Sequence, residues 1–293
     1  MINGIFPPIA TPFERGEVAF DRLAQNMNRW NTTGLAGYVV MGSNGESAFL
    51  TREEKLKLVD AVKQNLPSGK LLIAGTGSDS IRETISLSND AAGLGADYAL
   101  VLTPSFYKGE MNGAAFVRYF SEVADSIKIP LIIYNVPKFT GVSIEADAVS
   151  KLSRHGNIAG LKNSSENTAH TAELVACAPG DFSVLVGTAS VLYPGLIAGA
   201  TGGILALANI VPAECVELKS LFDSGKHSAA AALQAKLIPV NRAVTSKYGV
   251  PGLKAAMDML GYFGGDPRSP LAPLGEKERA ELKLILKGAG LLD

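Results

Sequence analysis

The sequence has little of several features that mark particular classes of protein. Its 293 residues carry 27 Lys and Arg against 28 Asp and Glu, so the formal net charge is only −1. Proteins that bind the phosphate backbone need a basic excess, and we therefore expect no nucleic-acid partner. The only two cysteines, Cys177 and Cys215, can form neither a zinc knuckle nor a disulfide framework, which favours two buried thiols in a reducing cytosol.

Long apolar runs and metal-ligand patterns are also absent. No apolar run exceeds the length of a strand, and the first residues show no basic region followed by an apolar one. We therefore expect no membrane-spanning helix and no signal peptide, and hence a cytoplasmic location. The histidines, His155, His170 and His227, are not paired at the spacing of metal ligands, so we expect a mechanism without a metal ion.

Apolar residues and glycine, by contrast, are abundant. Hydrophobic residues make up 47% of the chain and charged residues 19%, with 31 glycines. Short apolar segments recur without alternating between apolar and polar residues, which is typical of parallel strands buried on both faces. Eight such strands are predicted: Gly4–Phe6, Gly37–Val40, Leu71–Ala74, Tyr98–Leu102, Leu131–Tyr134, Ile158–Leu161, Ser183–Val186 and Gly203–Ala206.

Segments with helical period lie between these strands. They are Phe20–Trp30, Arg52–Gln64, Ile81–Gly93, Ala114–Ser126, Ala146–Ser153 and Thr168–Cys177. Thr51 and Glu54 form a capping box that starts the second helix. The alternation predicts an α/β protein, a (β/α)₈ TIM barrel over residues 1–223. A doubly wound open sheet is the alternative, although Gly75 and Gly77 lack the third glycine of a dinucleotide fingerprint.

No further strand-like segments occur from Ser224 onwards, which predicts a C-terminal three-helix extension over residues 224–293. Its helices are predicted at His227–Val244, Pro251–Leu260 and Glu276–Gly288. No low-complexity linker precedes them, so we expect the extension to pack onto the barrel.

Lys162 is the strongest candidate for a catalytic residue. It directly follows the sixth predicted strand, and active sites of α/β barrels lie at the carboxyl ends of the strands. Strand alternation places Ile158, Gly160 and Lys162 on one face. If that face is the barrel lumen, desolvation favours the neutral amine that a Schiff-base lysine needs. The alternative is a lysine that ends a strand and points into solvent.

Two further strand ends carry polar groups. Tyr134 ends the fifth strand, where its phenol could move protons for Lys162 or simply pack in the barrel. The segment Gly42–Glu46 follows the second strand and offers small polar side chains and backbone amides, which suit a carboxylate.

These motifs together resemble a known family. The segments Gly42–Glu46 (GSNGE), Tyr134–Pro137 (YNVP) and Gly160–Lys162 (GLK) occur in the order and at the strand ends typical of the dihydrodipicolinate synthase and N-acetylneuraminate lyase superfamily of pyruvate-dependent class I aldolases. The resemblance runs from Gly4 to about Leu271. It implies that Lys162 forms an imine with the C2 carbonyl of pyruvate or of a 2-oxo acid, without any cofactor.

The resemblance also implies roles for other residues. Tyr134 would move the proton, and Ser43 would link it to a second tyrosine, for which Tyr107 is the choice, although Phe106 competes for that position. The second tyrosine of this family often reaches across a dimer interface within a homotetramer of two tight dimers. The predicted substrate contacts are Ser43, Asn44, Gly45, Phe139, Ser164, Gly187 and Ile204.

The substrate is inferred from differences within the superfamily. Dihydrodipicolinate synthases carry an arginine, for the carboxylate of aspartate semialdehyde, where this chain has Phe139, and a phenyl ring cannot bind a carboxylate bidentately. The acidic residues of N-acetylneuraminate lyases after the seventh strand are absent from 186–190. The 4-hydroxy-2-oxoglutarate aldolase branch is more similar, in Ser164, in the segment Ala206–Asn209 and in the segments 243–254 and 261–265.

We therefore predict a lyase that cleaves or forms 4-hydroxy-2-oxo acids, giving pyruvate and an aldehyde or glyoxylate. The first alternative is a dihydrodipicolinate synthase that condenses pyruvate with aspartate semialdehyde. Further alternatives are an aldolase for 2-keto-3-deoxy sugar acids and a non-catalytic sensor of 2-oxo acids.

Overall fold

Eight parallel strands form the central sheet of the computed structural model, which describes all residues from Met1 to Asp293. The strands are β1 (Gly4–Phe6), β4 (Gly37–Val40), β5 (Leu71–Gly75), β6 (Tyr98–Leu102), β7 (Leu131–Asn135), β8 (Ile158–Asn163), β9 (Ser183–Val186) and β10 (Gly202–Ile204). Their spatial order is β1-β10-β9-β8-β7-β6-β5-β4. A separate antiparallel hairpin contains β2 (Phe13–Glu14) and β3 (Glu17–Val18).

The sheet closes between its two end strands, β1 and β4. The backbone N–H of Ala36 donates to the carbonyl of Ile5 (3.0 Å), and Val39 N–H donates to the carbonyl of Pro7 (3.0 Å). Pro8 and Val39 add an isolated parallel bridge. The sheet is therefore the predicted (β/α)₈ barrel, with no unpaired edge, and the open-sheet alternative is wrong.

Helices surround the barrel, and polar side chains cap several of their first turns. The predicted capping box of Thr51 and Glu54 is present, and Ser80, Asn112 and Asn167 accept from backbone N–H groups of the helices they precede. The helices up to the end of the barrel are α1 (Phe20–Asn31), α2 (Arg52–Gln64), α3 (Ile81–Gly93), α4 (Gly113–Ser126), α5 (Pro137–Thr140), α6 (Ala146–Leu152), α7 (Thr168–Cys177), α8 (Leu192–Ile197) and α9 (Pro212–Asp223).

Three α-helices follow the barrel, as predicted: α10 (His227–Arg242), α11 (Gly249–Met259) and α12 (Glu276–Gly288). The first of them ends earlier than predicted, because Ala243–Lys247 forms a π-helical turn that continues it. Buried side chains of the extension, such as Leu237, Leu253 and Leu286, belong to the same apolar cluster as Leu23 and Trp30 of α1. The extension therefore packs onto the barrel, while a domain boundary after residue 223 stays a prediction.

Two kinds of core lie on the two sides of the sheet. The lumen holds Phe6, Val39, Ile73, Leu100, Ile132, Tyr134, Leu185 and Ile204. Outward-facing side chains such as Val101, Ile133 and Leu161 pack under the helices instead. Burial on both faces explains why the strands show no apolar–polar alternation.

The strand β8, which carries Lys162, contradicts one prediction about its faces. Leu131 pairs with Ile158 but Ile132 pairs with Gly160, so the register between β7 and β8 shifts by one residue. Ile158 consequently lies in the outer core, and Ala159 packs against the lumen cluster. The prediction that Ile158 shares a face with Gly160 and Lys162 is wrong, because the extra residue interrupts the alternation of side chains.

None of the helices is long and apolar enough to span a membrane.

Candidate active site

Lys162 and Tyr134 are neighbours at the carboxyl ends of β8 and β7. Their Cα atoms are register partners, and Lys162 Nζ lies 4.0 Å from the centroid of the Tyr134 ring. Only 3% of Lys162 is exposed, and it takes part in none of the salt bridges of the protein. The alternative of a solvated lysine at a strand end is therefore wrong. The amine of Lys162 is thus buried in the barrel without a carboxylate partner.

The two strand ends are held together by a buried hydrogen-bond network that sequence reasoning missed. Asn135 Nδ2 donates to Asn163 Oδ1 (2.9 Å), and Asn163 Nδ2 donates to Thr171 Oγ1 (3.1 Å). Asn135 Oδ1 accepts from the backbone N–H of Ile144 (3.2 Å). Because these asparagines directly follow Tyr134 and Lys162, the network fixes the relative position of the phenol and the amine. Two asparagines immediately after predicted site residues were the available signal.

Ser43 lies beside Tyr134, as the sequence analysis predicted. Ser43 Oγ is 3.3 Å from Tyr134 Oη, within hydrogen-bond distance. Ser43 belongs to a 3₁₀ turn, Ser43–Gly45, that follows β4, and Asn44 on the same turn is half-buried. The hydroxyl, the phenol and the amine of Lys162 therefore form one polar group at the top of the lumen.

The backbone of this turn differs from the prediction of a run of free amides. Gly45 N–H donates to the carbonyl of Gly42 (3.0 Å), and Glu46 N–H donates to the carbonyl of Ser43 (3.2 Å). The amide of Gly45 is thus used within the turn, which leaves Ser43 and Asn44 as the residues of the loop suited to hold a carboxylate.

Ser164 and Gly187 lie next to each other on the other side of Lys162. Ser164 N–H donates to the carbonyl of Asn135 (2.9 Å), and Gly187 N–H donates to the carbonyl of Asn163 (2.7 Å). A Cβ on Gly187 would stand 2.7 Å from Ser164 Cα and closer still to its hydroxyl, so only glycine fits there. Ile204 is fully buried in the lumen cluster that contains Tyr134.

Tyr107 and Phe139 are the two predicted residues that the single chain leaves outside this group. Tyr107 is 71% exposed, and the one side-chain hydrogen bond of Ser43 goes to Tyr134 rather than to Tyr107. Phe106 is equally exposed and packs edge-on against Tyr107. Asp79 Oδ1 accepts from the N–H groups of Ser105 (2.6 Å) and Phe106 (2.9 Å), which fixes this loop. Phe139 is 62% exposed at the mouth of the barrel.

Glu46 is the second feature that the sequence analysis missed. Its carboxylate is buried and pairs with Lys254 Nζ of α11 (2.7 Å). Burial lowers the pKa of Lys254, and the nearby Glu46 carboxylate opposes that shift. Nothing in the local sequence around Glu46 indicates this partner, because the two residues come from opposite ends of the chain.

The arrangement suits covalent chemistry on a carbonyl compound. It supplies an amine nucleophile, a phenol and a hydroxyl in hydrogen-bond contact, and a loop suited to an anion. No group of three or more His, Cys, Asp or Glu side chains is placed to hold a metal ion.

Several known proteins are similar to this chain over nearly its whole length. A model of the dihydrodipicolinate synthetase family matches residues 1–289. A 4-hydroxy-tetrahydrodipicolinate synthase of Methanothrix thermoacetophila is 37% identical over 288 residues, which are 98% of this chain and 96% of the relative. The synthase of Methanocaldococcus jannaschii is 34% identical over the full length of both chains. The crystal structure of an E. coli K12 prophage protein of the dihydrodipicolinic acid synthase family, in complex with pyruvate, is 30% identical, with a TM-score of 0.93 over 99% of both chains.

Proposed function

The chain belongs to the dihydrodipicolinate synthetase family, and on that premise we propose that Lys162 forms an imine with pyruvate and thereby makes a carbon–carbon bond to an aldehyde acceptor. Members of the family are class I, Schiff-base-forming enzymes that use no external cofactor. The observation that carries the proposal for Lys162 is its buried amine, 4.0 Å from the centre of the Tyr134 ring and free of any carboxylate.

The proposed chemistry follows from these side chains. Lys162 Nζ attacks the C2 carbonyl of pyruvate, and loss of one water leaves an iminium ion. The iminium accepts the electron pair of a C3–H bond, so the proton departs and an enamine forms. Its C3 then adds to the aldehyde carbon of the acceptor, and water releases the product from Lys162. Tyr134 transfers the protons, with its phenol held by Ser43. Ser43 and Asn44 hold the carboxylate of pyruvate.

We propose aspartate semialdehyde as the acceptor, because the curated relatives carry the name 4-hydroxy-tetrahydrodipicolinate synthase. The sequence analysis placed this synthase second and the cleavage of 4-hydroxy-2-oxo acids first. The relatives' names favour the reverse order.

Cleavage of 4-hydroxy-2-oxo acids stays the second candidate because of Phe139. The exposed phenyl ring occupies the position at which the resemblance implies an arginine for the acceptor's carboxylate. An aromatic ring lacks the guanidinium donors for that contact, and it suits a less polar acceptor.

A direct comparison of the two reactions tests the proposal. The chain is assayed with pyruvate and aspartate semialdehyde, and separately for pyruvate release from 4-hydroxy-2-oxoglutarate and a 2-keto-3-deoxy sugar acid. We expect the condensation to have the highest kcat/KM, and the Lys162→Ala variant to lose every activity. Faster cleavage of a 4-hydroxy-2-oxo acid assigns the second candidate, and binding of pyruvate without any turnover assigns a sensor.

The assembly and location belong to the same proposal. A homotetramer built from two tight dimers would bring a tyrosine of the exposed loop, Tyr107, to the site of a neighbouring subunit, and a cytoplasmic location suits a small-molecule enzyme of this kind. Sedimentation of the chain, with a Tyr107→Phe variant assayed beside it, tests the assembly and the tyrosine together.

A further inference from the structure

The loop that holds Ser43 and Asn44 is strained at both of its ends. Met41 and Glu46, which flank the segment Gly42–Gly45, have positive φ values of 59° and 57°. Residues other than glycine rarely adopt this left-handed conformation, which is strained and persists only where the surrounding structure enforces it. The shape of the loop therefore depends on contacts outside it.

Thr11 Oγ1 donates to the carbonyl of Gly45 (2.7 Å), and several further contacts converge on the carboxylate of Glu46. Lys254 Nζ lies 2.7 Å from Glu46 Oε1, and the backbone N–H of Arg268 donates to Glu46 Oε2 (2.8 Å). Lys254 Nζ also donates to the carbonyl of Asp266 (3.0 Å) and lies 4.3 Å from the centroid of the Phe13 ring. Both Lys254 and Arg268 belong to the C-terminal extension.

The ion pair between Glu46 and Lys254 is buried, which strengthens the effect of its charges on the neighbouring loop. The side chains of Glu46 and Lys254 are each only 1% exposed, so solvent screens their charges little. Glu46 comes two residues after Asn44. A buried carboxylate without its lysine would place an uncompensated negative charge beside the loop that is to accept an anion.

We propose that Lys254 is a positioning residue for pyruvate: paired with Glu46, it holds the segment Gly42–Gly45 in its strained shape and neutralises the buried charge next to the carboxylate of the substrate. The C-terminal extension is then part of the substrate site, although none of its residues touches the reacting atoms. The identity of the anion rests on the proposed function.

The test measures pyruvate binding by trapping. Borohydride reduces the pyruvate imine on Lys162, and mass spectrometry gives the rate of adduct formation against pyruvate concentration. For Lys254→Met we expect the half-saturating pyruvate concentration to rise about tenfold. The plateau rate should change less than about threefold, because the amine and the phenol are untouched. The double variant Glu46→Gln/Lys254→Met should recover only part of the affinity, since it leaves no buried charge but still lacks the ion pair that holds the segment Gly42–Gly45.

Lys219 provides the matched control. It is another largely buried lysine in an ion pair, with Asp223 on α9 (2.7 Å), but it lies away from the loop. Lys219→Met should leave the half-saturating pyruvate concentration unchanged. An equal rise in Lys219→Met, or an unchanged value in folded Lys254→Met, overturns the proposal.

A second variant keeps the test decisive if Lys254→Met does not fold. Glu46→Gln removes the same ion pair without leaving an unpaired buried carboxylate, and an unchanged half-saturating concentration in this variant also overturns the proposal. Absence of any adduct in the unaltered chain would instead contradict the proposed function itself, so the two failures are distinguishable.

Discussion

At the scale of single residues, the proposed chemistry depends on what surrounds one amine. Lys162 has an aromatic ring and buried strands around it rather than a carboxylate. A hydrogen bond of 3.3 Å links the hydroxyl groups of Tyr134 and Ser43.

Removal of the Tyr134 hydroxyl should separate proton transfer from imine formation. For Tyr134→Phe we expect kcat to fall by about 10²- to 10⁴-fold, because a positioned proton donor is lost while the amine of Lys162 remains. Tyr38→Phe is the control, since Tyr38 is a buried strand tyrosine whose hydroxyl donates to Asn31 Oδ1 (2.6 Å) outside the site. Equal losses in the two variants would contradict a proton-transfer role for Tyr134.

Gly187→Ala tests the contact between Gly187 and Ser164. The added Cβ would stand 2.7 Å from Ser164 Cα, so Ser164 must move and the substrate site must distort. We expect kcat/KM to fall by about 10²-fold, since small displacements of positioned groups have effects of that size. Gly180→Ala, at a site where a Cβ meets nothing within 4 Å, should have no effect, and an active Gly187→Ala enzyme would refute the assignment of Ser164 to the site.

At the scale of elements, the ends of β7 and β8 are joined by the amides of Asn135 and Asn163. Both side chains are fully buried and make hydrogen bonds to each other and to their surroundings. Asn135 and Asn163 are the register pair that directly follows Tyr134 and Lys162 on these strands. Their hydrogen bonds therefore hold the end of β7 against the end of β8.

Asn163→Ala should therefore affect both stability and turnover. It leaves the Nδ2 group of Asn135 and the N–H of Ser165 without their acceptor, at a cost of about 1–3 kcal/mol per buried unsatisfied group. Denaturant unfolding measures the loss, and kcat should fall while the Lys162 adduct still forms. A variant of unchanged stability and kcat would show that the network does not position the strands.

The ion pair between Glu54 of α2 and Arg268, which precedes α12, predicts that the stability of the protein depends on pH. Two hydrogen bonds from the Arg268 guanidinium lower the pKa of Glu54 to about 2. Because the folded pKa is below the unfolded one, the pair stabilises the protein above about pH 4.5 and loses this effect as the pH falls towards 2.

Glu54→Gln should accordingly destabilise the protein by about 1–2 kcal/mol at neutral pH, because the pair is partly exposed and solvent weakens it. By about pH 3 the difference in free energy of unfolding between Glu54→Gln and the unaltered chain should be less than half its value at neutral pH. Urea unfolding at several pH values measures it. Glu53→Gln, in an exposed pair with Lys57, is the control. A difference that grows with falling pH would have the wrong sign.

The elements also show what sequence patterns can predict and what they cannot. The barrel strands were predictable because each is a short apolar run bounded by glycine, proline or a polar residue. The helices α8 and α9 were missed: Pro194 and Gly195 lie inside α8, and Pro212 begins α9. The positions of Lys162, Tyr134 and Ser43 were predictable because two of them lie at the carboxyl ends of strands and Ser43 comes shortly after one. The pair of Glu46 and Lys254 was not, since tertiary packing alone brings these residues together.

At the scale of the whole molecule, the barrel and its extension share one apolar core. Leu286 of α12 is fully buried in the cluster that contains Trp30 of α1, whose ring stacks on Tyr262 of the extension. Since the two parts bury one another's surface, they should unfold together.

Leu286→Ala measures that coupling. We expect the free energy of unfolding to fall by about 2–5 kcal/mol. Unfolding should remain a single transition, in which Trp30 fluorescence and far-UV circular dichroism change at the same denaturant concentration. Leu284→Ala, at a position 68% exposed on the same helix, should change little. Two separate transitions would mean that the extension folds as an independent domain.

The central claim is that Lys162 carries pyruvate covalently, and one measurement tests it most directly. The chain is incubated with pyruvate, reduced with borohydride and digested, and the adduct is mapped by mass spectrometry. The account predicts one modified lysine, Lys162, and no adduct on the exposed Lys108 and Lys138. An unmodified Lys162, or an adduct on another lysine, would contradict the account.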